Sequence, residues 1–164
     1  RLYRACDNAA DPRPAGRRAW QDPAMTDYAI VRADDVGDVY AGTDVPGEFR
    51  PLGPALGLEQ LAATLIRVPP HSDFEQGTGH LHDELEELYL VTRGTLTMRF
   101  GDEVVDVAAG SAVRVAPRTP RSHRNRGDEP VELWAISRRL DRGDATKIDD
   151  FWPADPAAVQ RRAP

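Results

Sequence analysis

The chain has 164 residues, 40% hydrophobic and 29% charged, with 13 Gly and 14 Pro, which suits one domain with a proper core and not two. No apolar run approaches the roughly 20 residues of a membrane-spanning helix, and a formal charge of -6 argues against nucleic acid, whose phosphates call for a basic face. The single cysteine, Cys6, excludes an intrachain disulfide framework and any zinc site built on paired cysteines, so a metal would have to sit on His and carboxylates; the expected compartment is cytoplasmic.

Residues 1–24 hold five arginines and three aspartates without periodicity. They read as a disordered leader or an upstream or vector-derived segment, with Met25 as the expected natural start and one domain over 25–153. Tyr28–Arg32 is the first apolar stretch and a candidate strand. From Glu59 onward, short alternating or β-branched runs are separated by Gly, Pro and Asp at near-regular spacing. Strands are expected near 59–68, 78–82, 86–93, 95–100, 103–108, 111–116, 120–125 and 131–138. The sharpest local signal is Thr95–Phe100 and Glu103–Val107 joined by Gly101-Asp102, a two-residue linker that suits a type II′ hairpin turn. Many short strands with little helical period predict an all-β sandwich or barrel. After an aromatic anchor at Phe151-Trp152, the C-terminal tail over 154–164 is where one short helix is expected.

The strand at 86–93 is apolar on both faces. Tyr89 and Val91 can fill a barrel interior, whereas Leu88 and Leu90 need a separate cover. Either the stretch 28–32 or a second copy of the chain would supply it, and a homodimer is the expectation.

Three of the four histidines, His80, His82 and His123, fall in the strand-rich region. His80 and His82 are spaced i, i+2, which on a strand places both imidazoles on one face. Glu87 follows five residues later and shares a strand face with Tyr89 and Val91. Two imidazoles and a carboxylate converging inside a barrel make a 2-His-1-carboxylate set, suited to Fe(II), Mn(II), Ni(II) or Zn(II).

The pattern His80-x-His82-x4-Glu87-x6-Gly94 resembles the first motif of the cupin superfamily. Glu86 also fits a shorter gap, but only Glu87 keeps the six-residue interval to Gly94. The second cupin motif resembles Gly110–Pro117 followed by Pro120-Arg121-Ser122-His123-Arg124-Asn125, with one departure: Arg121 stands where the family carries a histidine. The resemblance covers roughly 59–138 and implies a double-stranded β-helix (jelly-roll) barrel with short N- and C-terminal extensions, similar to small single-domain bacterial cupins. It also implies a divalent transition metal on His80, His82 and Glu87, with His123, two residues beyond Arg121 on the same strand face, as a fourth ligand.

Arg121 then has two readings, a surface ion pair or an inward cation that holds a substrate carboxylate. Without metal it would pair with Glu87. Tyr89, Met98, Phe100, Trp134 and Ile136 are expected to line the barrel as core filling or as substrate contacts, Met98, Phe100 and Trp134 being the substrate-binding candidates. Phe74 and Gln76 lie on the loop leading to the site, and His71 reads as a loop residue without a role.

The functional expectation is a small, anionic organic ligand bound beside the metal. If the chain is an enzyme, a dioxygenase, isomerase or decarboxylase, the metal serves as Lewis acid or O2 centre, Arg121 orients substrate and Tyr89 supplies a proton. The rival readings are a non-catalytic binding or sensing module, metal-free with Arg121 on the anion, and an interaction protein whose metal site has decayed.

Overall fold

A computed structural model describes residues 28–152 and the backbone of 160–162. The leader 1–24 with Cys6, the expected start Met25, and residues 153–159 lie outside the described residues. The expected strand at 28–32 does not form: Tyr28 and Ile30 are exposed, and the first regular element is a single 3-10 turn at Ala33–Asp35.

The chain then builds β1 (Glu48–Pro51), a one-turn helix α1 (Leu52–Leu56), β2 (Leu61–Val68), β3 (Gly79–His82), β4 (Glu87–Arg93) and β5 (Thr95–Phe100). It continues through β6 (Glu103–Ala108), β7 (Ala112–Val115), β8 (Arg121–Arg124), β9 (Val131–Arg138), β10 (Ala145–Ile148) and β11 (Gln160–Arg162). The strands form two sheets, β1-β2-β9-β4-β7 and β10-β3-β8-β5-β6-β11. Every pairing is antiparallel except β11 on β6. This is the expected all-β jelly-roll. Its C-terminal end is corrected: Gln160–Arg162 pair with Glu103–Val105 as a strand, so no helix occupies that part of the tail. Among the described residues no helix is long and apolar enough to cross a membrane.

The hairpin between β5 and β6 pairs Phe100 with Glu103 across Gly101-Asp102. Gly101 has φ +54 while Asp102 has no positive φ, as a type II′ turn requires. The facing sheets bury Ile66 and Val68 of β2, Tyr89 and Val91 of β4, Leu96 and Met98 of β5, and Val131 and Leu133 of β9 in one cluster. Each such side chain contributes about 1.5–3 kcal/mol on leaving water.

Burial alternates along β9, so Val131, Leu133 and Ala135 face this core and Trp134 and Ile136 lie on the opposite face. That corrects the expectation that Trp134 and Ile136 line the barrel. Behind the six-stranded sheet, Phe151 and Trp152 are buried; Arg99 lies 4.5 Å over the Phe151 ring and Arg124 lies 4.0 Å over Trp152. The Trp152 indole N–H donates to Ser122 Oγ at 2.8 Å. This aromatic seam fixes the outer side of β3 and β8, the two strands whose inner sides carry the site.

Candidate metal centre and ligand cavity

β3 and β8 place His80 opposite Arg121, and β4 brings Glu87 up to them from the other sheet. One potential ligand atom from each of His80, His82 and Glu87 falls within 4.8 Å of the others. His82 Nε2 lies 3.7 Å from Glu87 Oε2. The approach of Phe151 explains why glycine precedes His80: a Cβ on Gly79 would come 2.5 Å from the Phe151 ring and 2.9 Å from the Arg121 carbonyl oxygen.

Two carboxylates from distant loops orient the imidazoles. His80 Nδ1 donates to Glu75 Oε2 at 2.9 Å, and His82 Nδ1 donates to Asp144 Oδ1 at 2.7 Å. Because an ionised carboxylate only accepts, Nδ1 is the donor in both contacts. Asp144 also accepts the backbone N–H groups of Glu84 and Leu85 at 2.9 and 3.1 Å, pinning the turn between β3 and β4. Glu75 is aimed by Asp73, which accepts the N–H groups of Glu75 and Gly77, in a turn where Gln76 has φ 52.

Glu87 accepts the Tyr89 hydroxyl at 2.6 Å and the Arg121 guanidinium through Oε2. Arg121 is therefore inward and almost fully buried, yet it is committed to Glu87 and does not border the cavity. Arg121 thus sits on Glu87 and not on the cavity wall, where the substrate clamp was expected. Burial disfavours the Glu87 charge, but Arg121, His80 and His82 outweigh it and hold the carboxyl below its usual range. Glu75 is likewise lowered to about 2, His80 and His123 overcoming its burial. Burial and the Arg121 charge push His82 down, which favours the neutral, ligating imidazole. Burial and Glu87 push Tyr89 well above the usual phenol range, so Tyr89 keeps its proton on Glu87, contrary to the expected role as proton donor to a substrate.

His123 stands outside the group of three. Its Nδ1 lies 3.1 Å from Glu75 Oε1. Its ring is stacked on Phe74 at 5.6 Å.

His80, His82, Glu87, Tyr89 and His123 all border one cavity of about 460 Å³, with Phe74 in its wall. Met98 and Phe100 do not border it: Met98 is sealed in the core and Phe100 packs against that core. Together with Trp134 on the outer face, this corrects the three substrate contacts expected from strand parity. The loop between β9 and β10, from Arg139 to Asp144, closes one side of the cavity. Glu75 and Asp144 escaped sequence reasoning. Asp144 is 62 residues from His82 and Glu75 lies on an irregular turn, so no local period points to either.

The cluster fits a divalent cation. Buried Glu75 and partly buried Glu87 and Asp144 bring three carboxylates to the two imidazoles, with Arg121 paired to Glu87, a nitrogen and oxygen donor set that suits a dication. Imidazoles held at Nδ1 by carboxylates are the usual support for metal-ligating Nε2 atoms.

Comparison with known proteins bears on the fold. The cupin domain family matches residues 64–137. No curated protein matches the chain. Among solved structures, a sugar phosphate isomerase of the cupin superfamily from Silicibacter pomeroyi is 23% identical, with 68% of this chain and 76% of that chain covered and a TM-score of 0.56. A protein with a double-stranded β-helix domain from Klebsiella pneumoniae is 15% identical, over 73% and 96%, with a TM-score of 0.58. A polyketide cyclase from Streptomyces resistomycificus is 18% identical, over 78% and 89%, also at 0.58.

Proposed function

Since the chain belongs to the cupin superfamily by sequence and fold together, we propose that it binds a divalent transition metal through His80, His82 and Glu87 to engage a small organic ligand in the adjoining cavity. One observation carries this reading: ligand atoms of His80, His82 and Glu87 converge within 4.8 Å, with Glu75 and Asp144 holding the two imidazoles through Nδ1. When bound, the metal supplies Lewis acidity toward a ligand oxygen. The protein's own groups do the rest. Tyr89 and Arg121 fix one oxygen of Glu87, and Asp144 ties His82 to the β3–β4 turn. Same-fold relatives carry both isomerase and cyclase names, so the fold selects no reaction.

The rival reading, a metal-free pocket in which Arg121 holds an anion, has less support because Arg121 is engaged by Glu87 and withheld from the cavity. Elemental analysis and calorimetric titration with Mn(II), Ni(II) and Zn(II) test the proposal. About one ion per chain is expected, lost in His80→Ala and in His82→Ala. Failure of the wild-type protein to take up any of the three ions would overturn it.

A further inference from the structure

His123 is a buried imidazole that the proposed metal centre leaves unused. It stands on β8 two residues beyond Arg121, the position opposite His80, which at the rise of a strand sets the two places about 6.6 Å apart. Two neighbours hold its ring. Phe74 stacks on it at 5.6 Å with planes 18° from parallel, and Glu75 Oε1 lies 3.1 Å from its Nδ1. The other oxygen of Glu75 holds His80 Nδ1 at 2.9 Å. One carboxylate therefore stands between His123 and the metal group and keeps the two apart.

Nε2 of His123 is buried and has no hydrogen-bond partner among the described residues, although the residue borders the cavity. Two hydroxyls on the same wall are already engaged: Thr78 donates to the Glu75 carbonyl at 2.7 Å and Tyr89 to Glu87 at 2.6 Å. A buried polar atom without a partner loses its hydration with no compensating bond. A ligand in the cavity can supply that bond.

We infer that His123 is a specificity-determining residue whose Nε2 takes a hydroxyl of the ligand, so that the cavity favours compounds carrying a hydroxyl remote from the oxygen engaged at the metal group. This rests on the reading of the cavity as a ligand site and adds a second point of contact to it. A neutral imidazole accepts from the hydroxyl and an imidazolium donates to it, so the contact serves in either state. A site that hydrogen-bonds a hydroxyl discriminates strongly against the analogue lacking it. A carboxylate at the far end of such a compound meets either a metal on His80, His82 and Glu87 or the exposed Arg139 and Arg142, which also border the cavity; both stations leave His123 to the hydroxyl.

Calorimetric titration of the full chain, with Mn(II) and after chelation, tests this with matched pairs of probes: 4-hydroxybutyrate, 5-hydroxypentanoate and 6-hydroxyhexanoate against butyrate, pentanoate and hexanoate. Each pair differs only in the terminal hydroxyl, and an apolar wall by itself would favour the plain acid. In the wild type at least one hydroxy acid should bind about tenfold tighter than its partner, the difference one hydrogen bond makes. His123→Phe keeps a ring to stack on Phe74 and removes both nitrogens. It should erase that preference while still taking up about one ion per chain. NMR of the wild type gives a readout that needs no variant: the Nε2 and Hε1 signals of His123 should shift with the hydroxy acid and stay in place with the plain acid.

Plain acids that bind as tightly as the hydroxy acids at every length, no binding of any probe, a preference that survives His123→Phe, or His123 signals that do not move would each overturn the inference. So would loss of the ion in folded His123→Phe, which would make His123 a metal ligand. The two proposals fail separately. A hydroxyl preference that depends on His123 in a chain that takes no metal removes the metal centre and keeps the hydroxyl contact. Metal uptake without a hydroxyl preference does the reverse.

Discussion

Arg121 donates to the same Glu87 oxygen that accepts the Tyr89 hydroxyl, and it does so from the strand position directly opposite His80. A cation thus sits behind the carboxylate of the candidate metal group, where it holds Glu87 ionised and competes with a metal for the same oxygen. Replacing Arg121 with histidine removes that competition and offers a further imidazole. Arg121→His is expected to bind Mn(II) or Ni(II) more tightly than the wild type in calorimetry; equal affinities would show that the guanidinium does not act on the metal group.

Arg121→Met should behave differently. Breaking a buried pair by removing one partner leaves the other charge uncompensated and costs about 3–5 kcal/mol. In chelator-treated protein, denaturant unfolding should show a loss of that order, and added metal should restore part of it by supplying the missing positive charge.

Asp144→Asn keeps the shape of the side chain but weakens its hold on His82 Nδ1. Loss of such a supporting carboxylate commonly reduces metal affinity by about 10–100-fold. The expected outcome is that reduction, with the circular dichroism spectrum unchanged. Unchanged metal affinity would detach Asp144 from the function of His82.

Acid should destabilise the metal-free protein in two stages. The folded state holds His82 below its ordinary 6.5, so the unfolded chain takes up a proton there that the folded chain refuses, and stability falls as pH drops through that value. Glu75, lowered from 4.5 to about 2, contributes stability that is present above about pH 4.5 and is lost as pH falls toward 2. Thermal midpoints against pH should show both declines; His82→Gln should flatten the upper one and Glu75→Gln the lower.

The outer face of the five-stranded sheet sets Leu88 beside Ile136, and Leu90 beside Trp134, which pairs in turn with Leu65. Leu88 and Leu61 are exposed there, and residues 28–32, with Tyr28 and Ile30 in solvent, do not provide the cover. We propose that a second copy of the chain covers this face. Light scattering should give a dimer mass for the wild type and a monomer for Leu88→Glu; a monomeric wild type across a wide concentration range would overturn the proposal.

Much of this architecture was legible because β-structure writes a period of two into the sequence. The hairpin at Gly101-Asp102 and the shared face of His80 and His82 are local consequences of that period. Where both faces of a strand are apolar, the period loses its meaning: on β9, Val131, Leu133 and Ala135 alternate with Trp134 and Ile136, and sequence alone could not choose the inner set. Met98 was assigned to the correct face but sits too deep in the core to meet a ligand. The strands β1 and β10 are short and mixed in character, and neither stood out. Glu75 and Asp144 depend on loops folding back over long separations, so their meeting with His80 and His82 is a property of the tertiary structure.

The segment between β9 and β10 closes the cavity with residues 139–143 and ends in Asp144, the carboxylate that orients His82. Ligand choice and metal retention are therefore written on one short stretch of chain. Descendants that lengthen or trim this loop to admit a new compound also move the anchor of His82, so the two traits cannot diversify independently; change of specificity by loop exchange would have to carry the aspartate with it.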